Sequence, residues 1–177
     1  MKSMLRLFAL AFIMMLAACA TTPTGDISVD AEADPKARFS GFKTYAWLAA
    51  AEIVFDPEGQ WEPRNVDIDA EVQLMINNEL RKRGITEVNG NPDMLVAYAA
   101  GVDMTALGLK QDPETKEKLL ANIPKAALVV ALIDADTGYV LWIAEAAGQV
   151  QEQPDAATVR ARLEYAIGEM FRLLPKN

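Results

Sequence analysis

Residues 126–150, AALVVALIDADTGYVLWIAEAAGQV, decide the fold class. Two apolar runs, Ala126 to Ile133 and Tyr139 to Val150, flank Asp134-Ala135-Asp136-Thr137-Gly138. Such runs, split by residues that accept backbone N–H bonds or take positive φ, predict a β-hairpin. Upstream, Asn91-Pro92-Asp93 breaks the chain before MLVAYAAGVDM, a further strand from Met94 to Met104. Before that the period changes. From Asp67, residues Ile68, Val72, Met75, Ile76 and Leu80 recur on one helical face. Asp67 can cap this helix, Asp69 and Glu71 suit its positive end, Arg81-Lys82-Arg83 suits its negative end, and Gly84 stops it. Thr44 to Leu48 alternates and predicts a short first strand. A second helix starts near Asp155 after Pro154 and aligns Val159, Leu163, Ala166, Ile167, Met170 and Leu174 before Pro175. The polar stretch Gln111 to Ala121, with Asp112 and Pro113 placed to open it, predicts a short helix.

The expected order is therefore β-α-β-β-β-α. Two amphipathic helices need one surface to bury their stripes on, which gives an α+β two-layer sandwich: a sheet of about four mostly antiparallel strands with both helices on one face. Both parities of the central strands are apolar, as in Val96, Tyr98 and Val102 against Leu95, Ala97 and Ala99. A strand apolar on both sides is usually covered on both sides. Residues 49–65, residues 105–125, a second copy, a partner or an apolar ligand could supply the second cover.

The N-terminus reads separately. Lys2 and Arg6 precede an apolar run of twelve, Leu7 to Ala18, with the length and flanks of a signal-peptide core. At 1.5 Å per residue it would cover about 18 Å of a hydrocarbon core roughly 30 Å thick, too short to span. The run ends in Leu16-Ala17-Ala18-Cys19, which resembles the bacterial lipobox, and Cys19 is the chain's one cysteine. The resemblance implies cleavage after residue 18 and lipidation of Cys19, with two or three acyl chains sufficient for stable anchoring. Ala20 rather than Asp follows, which implies the periplasmic face of the outer membrane. Residues 19–38, rich in Thr, Asp, Pro and Gly, read as a lipidated start and flexible tether, and 39–177 as a single folded domain. The acidic residues Asp26, Asp30, Glu32 and Asp34 read as part of that solvated tether.

Composition excludes several activities. Among 177 residues there is no histidine, so no Ser-His-Asp or Cys-His arrangement and no His/Cys zinc site can form. The net charge is −8. Without residues 1–18, which hold two basic and no acidic side chains, 15 basic groups face 25 acidic ones, a net −10. That balance argues against nucleic acid as partner and against electrostatic attraction to anionic lipid.

TYAWL, the helix ending in LRKRG, the break and strand NPDMLVAY, the hairpin VVALIDADTGYVLWIAEA and the terminal helix running into LLPK together resemble the bacterial domain-of-unknown-function family 4136, mostly lipoproteins. The likeness covers residues 42–175. It implies an exported, lipid-anchored α+β domain, and it brings no catalytic residue and no cofactor.

Candidate chemistry is sparse. Asp134-x-Asp136 reads as a hairpin turn rather than a metal pair. Asp103 and Glu145 sit in apolar strands and are the nearest approach to a carboxylate pair of glycosidase type. Trp47, Tyr98 and Trp142 lie on strands and could present an aromatic face to a ligand or partner, or fill the core. Three readings follow. The leading one is a non-enzymatic, lipid-anchored lipoprotein whose periplasmic domain binds another envelope component. The alternatives are a binder of a small apolar or lipid-like ligand on the sheet face, and a carboxylate hydrolase of envelope glycans. A flat exposed apolar patch favours the first, a lined apolar cavity the second and a carboxylate cluster in a cleft the third.

Overall fold

The computed structural model describes residues 24–59, 66–111, 118–122, 124–151 and 154–176, and the backbone alone of 107–111 and 118–122. Its elements in chain order are β1 (Ser28–Ala33), a 3-10 turn (Phe39–Gly41), β2 (Thr44–Phe55), α1 (Ile68–Lys82), β3 (Thr86–Glu87), β4 (Met94–Asp103), β5 (Leu107–Gln111), β6 (Lys118–Asn122), β7 (Lys125–Asp134), β8 (Val140–Gln149) and α2 (Ala156–Arg172).

The fold is α+β, as expected, but the main sheet has six strands in the order β1-β8-β7-β4-β2-β3. It is mixed rather than mostly antiparallel. Strands β4, β7 and β8 form the expected antiparallel set. β2 runs parallel to β4, with α1 as the crossover between them. Parallel neighbours need such a crossover because a tight turn cannot join them.

Three further expectations are corrected. Residues 19–38 are not a tether throughout, because Ser28–Ala33 pairs antiparallel with β8. Its alternation is Val29, Ala31 and Ala33 inward against Ser28, Asp30 and Glu32 outward, small and acidic enough to pass for linker yet correct in period for an edge strand. The first strand continues well past Leu48, to Phe55. The stretch expected as a short helix instead supplies β6 and the end of β5, which form a separate two-stranded ladder; residues 112–117 lie outside the described set.

The local signals explain the remaining elements. Asp67 accepts from the Ala70 N–H at 3.0 Å and Asp155 from the Thr158 N–H at 2.7 Å, so each helix starts at the expected cap. Gly84, at φ +76°, ends α1. Between β7 and β8, the Asp134 carboxylate accepts from the Thr137 hydroxyl at 2.7 Å and from the N–H groups of Thr137 and Asp136 at 2.7 and 3.1 Å. Gly138 takes φ +74°. The acidic pair is a turn, as its sequence indicates.

Both helices lie on one face of the sheet, and Val72, Ile76, Leu80, Ala166, Ile167, Met170 and Phe171 close over it. The strand register arranges that face in rows. At the end near the Asp134–Gly138 turn a row runs Ala33, Trp142, Leu132, Val96, Trp47. The next runs Ala31, Ala144, Val130, Tyr98, Ala50, followed by Val29, Ala146, Leu128, Ala100, Glu52 and then Gly148, Ala126, Val102, Val54. Side chains therefore shrink along the sheet. Large side chains fill the sandwich at the turn end, each fully buried one contributing about 1.5–3 kcal/mol. Small ones at the other end cannot reach the helices.

The opposite face carries Leu95, Ala97, Ala99, Val129, Ala131 and Ile133, all half-buried, with Ile53, Phe55 and Ile143 exposed at 60, 57 and 42%. Its apolar character matches the double-parity pattern in the sequence.

Candidate functional site

The decreasing side-chain size leaves a cleft of about 730 Å³ between the sheet and the first turns of both helices. Ala100, Val102, Leu128 and Ala146 form its floor, Ile68, Leu163 and Ala166 its roof, and Ile27 part of one side. The volume lies within the ~300–1,000 Å³ of small-molecule sites, and the mostly aliphatic walls with few polar groups fit an apolar ligand.

The polar groups sit at the rim. Arg162 donates two hydrogen bonds to Asp26, Nη1 to Oδ1 at 2.8 Å and Nη2 to Oδ2 at 2.7 Å, and the Gln149 N–H donates to the same carboxylate at 2.8 Å. The guanidinium holds the Asp26 carboxyl below the usual range. This clamp fixes the chain just before β1 as a wall of the cleft. Gly148 lies beneath it. A Cβ there would come within 2.9 Å of Arg162 Nη2 and 3.1 Å of Asp26 Oδ2, so a side chain would displace the pair. On the other side Glu52, Asp67 and Asp69 line the cleft. Asp69 accepts from the Tyr98 hydroxyl and from Gln73 Nε2 at 2.9 Å, tying the first turn of α1 to the sheet. Burial first, then the hydrogen bond to Asp69, raises the Tyr98 pKa, so the phenol stays protonated. Arg160 donates from Nε to Glu71 at 2.9 Å, joining the two helices near the same end.

The three aromatics singled out in the sequence all lie on the helix-covered face. Trp142 is fully buried, with its ring centroid 5.3 Å from that of Phe171. Tyr98 is buried and meets Trp47 edge-on at 6.0 Å, and Trp47 meets Tyr45 at 6.3 Å. Of the two placements open to them, Tyr98 and Trp142 fill the core behind the cleft and Trp47 packs half-buried against it, so the three do not present an aromatic binding face. Packing dominates because a strand's large rings are the bulk that holds the helices at the turn end. Cys19 lies outside the described residues.

Asp103 and Glu145 are not brought together. Both are exposed on the open face, and the register separates them by two strands laterally and four residues along, about 16 Å at ordinary sheet spacings. Paired glycosidase carboxyls stand roughly 5–9.5 Å apart. Asp103 instead accepts from the Thr105 N–H and hydroxyl, each at 2.8 Å. Among the described residues no group of three or more Asp, Glu or Cys side chains is placed to hold a metal ion.

Of the cleft residues, Ile68, Val102, Leu163 and Ala166 appear in the sequence reading only as apolar positions of helices and strands, not as a site. The signal of the cleft is the Ala/Gly pairs Ala99-Ala100-Gly101, Ala126-Ala127 and Ala146-Ala147-Gly148, which the register places at one end of three adjacent strands.

Three solved structures are similar to this chain. A family member from Bacteroides thetaiotaomicron superposes with a TM-score of 0.53 at 12% identity, covering 83% of this chain and 95% of that one. A PDZ domain protein from Parabacteroides distasonis gives 0.53 at 17% identity, covering 86% of this chain and 37% of its own length. The PelC dodecamer subunit from Paraburkholderia phytofirmans gives 0.48 at 15%, covering 81 and 93%. No curated protein matches the chain. The family model described as "Domain of unknown function (DUF4136)" matches residues 29–176, from β1 to the end of the last helix, and the chain belongs to that family.

Proposed function

We propose that this chain is a non-enzymatic lipoprotein of the cell envelope, anchored through lipid on Cys19 at the periplasmic face of the outer membrane, whose domain binds a small apolar or lipid-like molecule. The observation that carries the binding reading is the cleft, about 730 Å³ of mainly aliphatic lining open to solvent at one end of an otherwise packed sandwich. An apolar surface of this kind gains by exchanging water for a hydrocarbon chain. The test is titration of the soluble domain, made as the Cys19→Ser chain without residues 1–18, with a fluorescent single-chain amphiphile. Saturable binding that Ala100→Phe abolishes supports the reading; binding untouched by filling the cleft removes it.

A second reading has its own support. Ile53, Phe55 and Ile143 on the open sheet face form an exposed apolar surface of the kind that docks a protein, here another envelope component. Loss of co-purifying protein on Phe55→Glu, with amphiphile binding intact, would favour it.

A further inference from the structure

We infer that the cleft opens toward the membrane and takes an acyl chain of a zwitterionic bilayer lipid. This rests on the anchored, ligand-binding reading above and adds orientation, source and headgroup to it.

The orientation follows from strand direction. The start of β1 and of β7, the ends of β2, β4 and β8, and the first turns of α1 and α2 all lie at the cleft end. The Asp134–Gly138 turn lies at the other, nine residues along β7 from Lys125, or about 30 Å. Asp26 is clamped at the cleft end by Arg162 and the Gln149 N–H. Cys19 precedes Asp26 by seven residues. Fully extended at about 3.3–3.6 Å each, those residues reach at most about 25 Å. Lipid on Cys19 therefore holds the cleft end close to the bilayer, whereas nothing comparable draws the hairpin turn toward it. Had residues 19–38 been a free tether, no such preference would exist.

Proximity selects the occupant. The most abundant apolar chains within that reach are those of the membrane itself, and the aliphatic lining suits them. The rim then selects the headgroup. Asp26 and Arg162 neutralise each other, and Glu52, Asp67 and Asp69 remain as three carboxylates on the other side of the cleft. That field repels an anionic headgroup and accepts one that carries an ammonium.

The test uses the full lipid-anchored chain, purified from membranes and checked by mass spectrometry for lipid on Cys19, in vesicles carrying spin-labelled acyl chains. A thiol-reactive fluorophore is placed at the cleft end through Val54→Cys or, independently, Gln151→Cys, and at the far turn through Asp136→Cys. In phosphatidylcholine vesicles both cleft-end probes should be quenched at least threefold more than the Asp136 probe, and replacing one third of the lipid by phosphatidylglycerol should halve that quenching. Equal quenching at both ends, or none at the cleft end, would overturn the orientation. Undiminished quenching in the anionic vesicles would overturn the headgroup assignment. Because amphiphile binding by the soluble domain is measured separately, failure here with that binding intact refutes this inference alone.

Discussion

Replacing Arg162 by Met tests whether the N-terminal strand is part of the domain. The substitution keeps the aliphatic stem but deletes the guanidinium that makes both clamp bonds to Asp26. The two side chains are only 13 and 20% exposed, so the pair falls between surface pairs, near 0–1 kcal/mol, and buried ones whose disruption costs about 3–5 kcal/mol. About 2 kcal/mol is a fair central figure, and it acts on the local opening of β1. At about 1.4 kcal/mol per factor of ten, opening should become roughly 30-fold more frequent. Hydrogen exchange of the Asp30, Glu32 and Asp34 amides, which face β8, reads this directly, with the β4 and β7 amides as internal reference. The clamp also makes the opening of β1 depend on pH. The Asp26 pKa is lowered in the folded chain, chiefly by the hydrogen bond from Arg162. Its contribution is therefore complete above the unfolded value of about 3.9 and is lost as pH falls through the lower folded value. Acid should open β1 in the wild type with little further effect in Arg162→Met. Coil-like exchange of the Asp30, Glu32 and Asp34 amides in the wild type, or no change in the variant, would show that β1 is not held by the clamp.

Three other outcomes are expected. Cys19→Ser should move the protein out of the membrane fraction and abolish labelling by an alkyne fatty acid, with the circular dichroism of the domain unchanged. Trp142→Ala should cost about 3–5 kcal/mol in denaturant unfolding, as large-to-small core changes do, whereas Trp142→Phe should cost much less, since the indole N–H has no hydrogen-bond partner among the described residues. Ile53→Glu with Phe55→Glu should reduce hydrophobic-dye binding by the isolated domain and shift its stability by less than about 1 kcal/mol, because both side chains are exposed.

The sequence made the helices and the central hairpin legible because their signals are local. Asp67 and Asp155 cap, Gly84 and Gly138 take positive φ, and the 3.6-residue periods of Val72-Ile76-Leu80 and Ala166-Met170 need no partner to be recognised. What depended on pairing was not legible. β1 is a run of alternating small and acidic residues whose only reason to be a strand is the edge of β8. β2 continues past Leu48 because β4 runs beside it, with a register shift between Trp47 and Ala49. The cleft is a property of three strands in register, since Ala100, Ala126 and Gly148 mean nothing individually until β4, β7 and β8 align them. The aromatics were ambiguous for the complementary reason: Trp142 and Tyr98 are chemically suited to a surface or a core, and only the register shows that their rows face the helices.

The most direct test of the central claim is methyl NMR of the soluble domain titrated with a neutral single-chain amphiphile. If the cleft is the binding site, Leu128, Leu163, Ala146 and Ala166 methyl signals shift together and saturate, while Ile143 and Ile133 on the open face stay within error. Shifts confined to Ile143 and Ile133, with the cleft methyls unmoved, would contradict this and move the binding surface to the other side of the sheet.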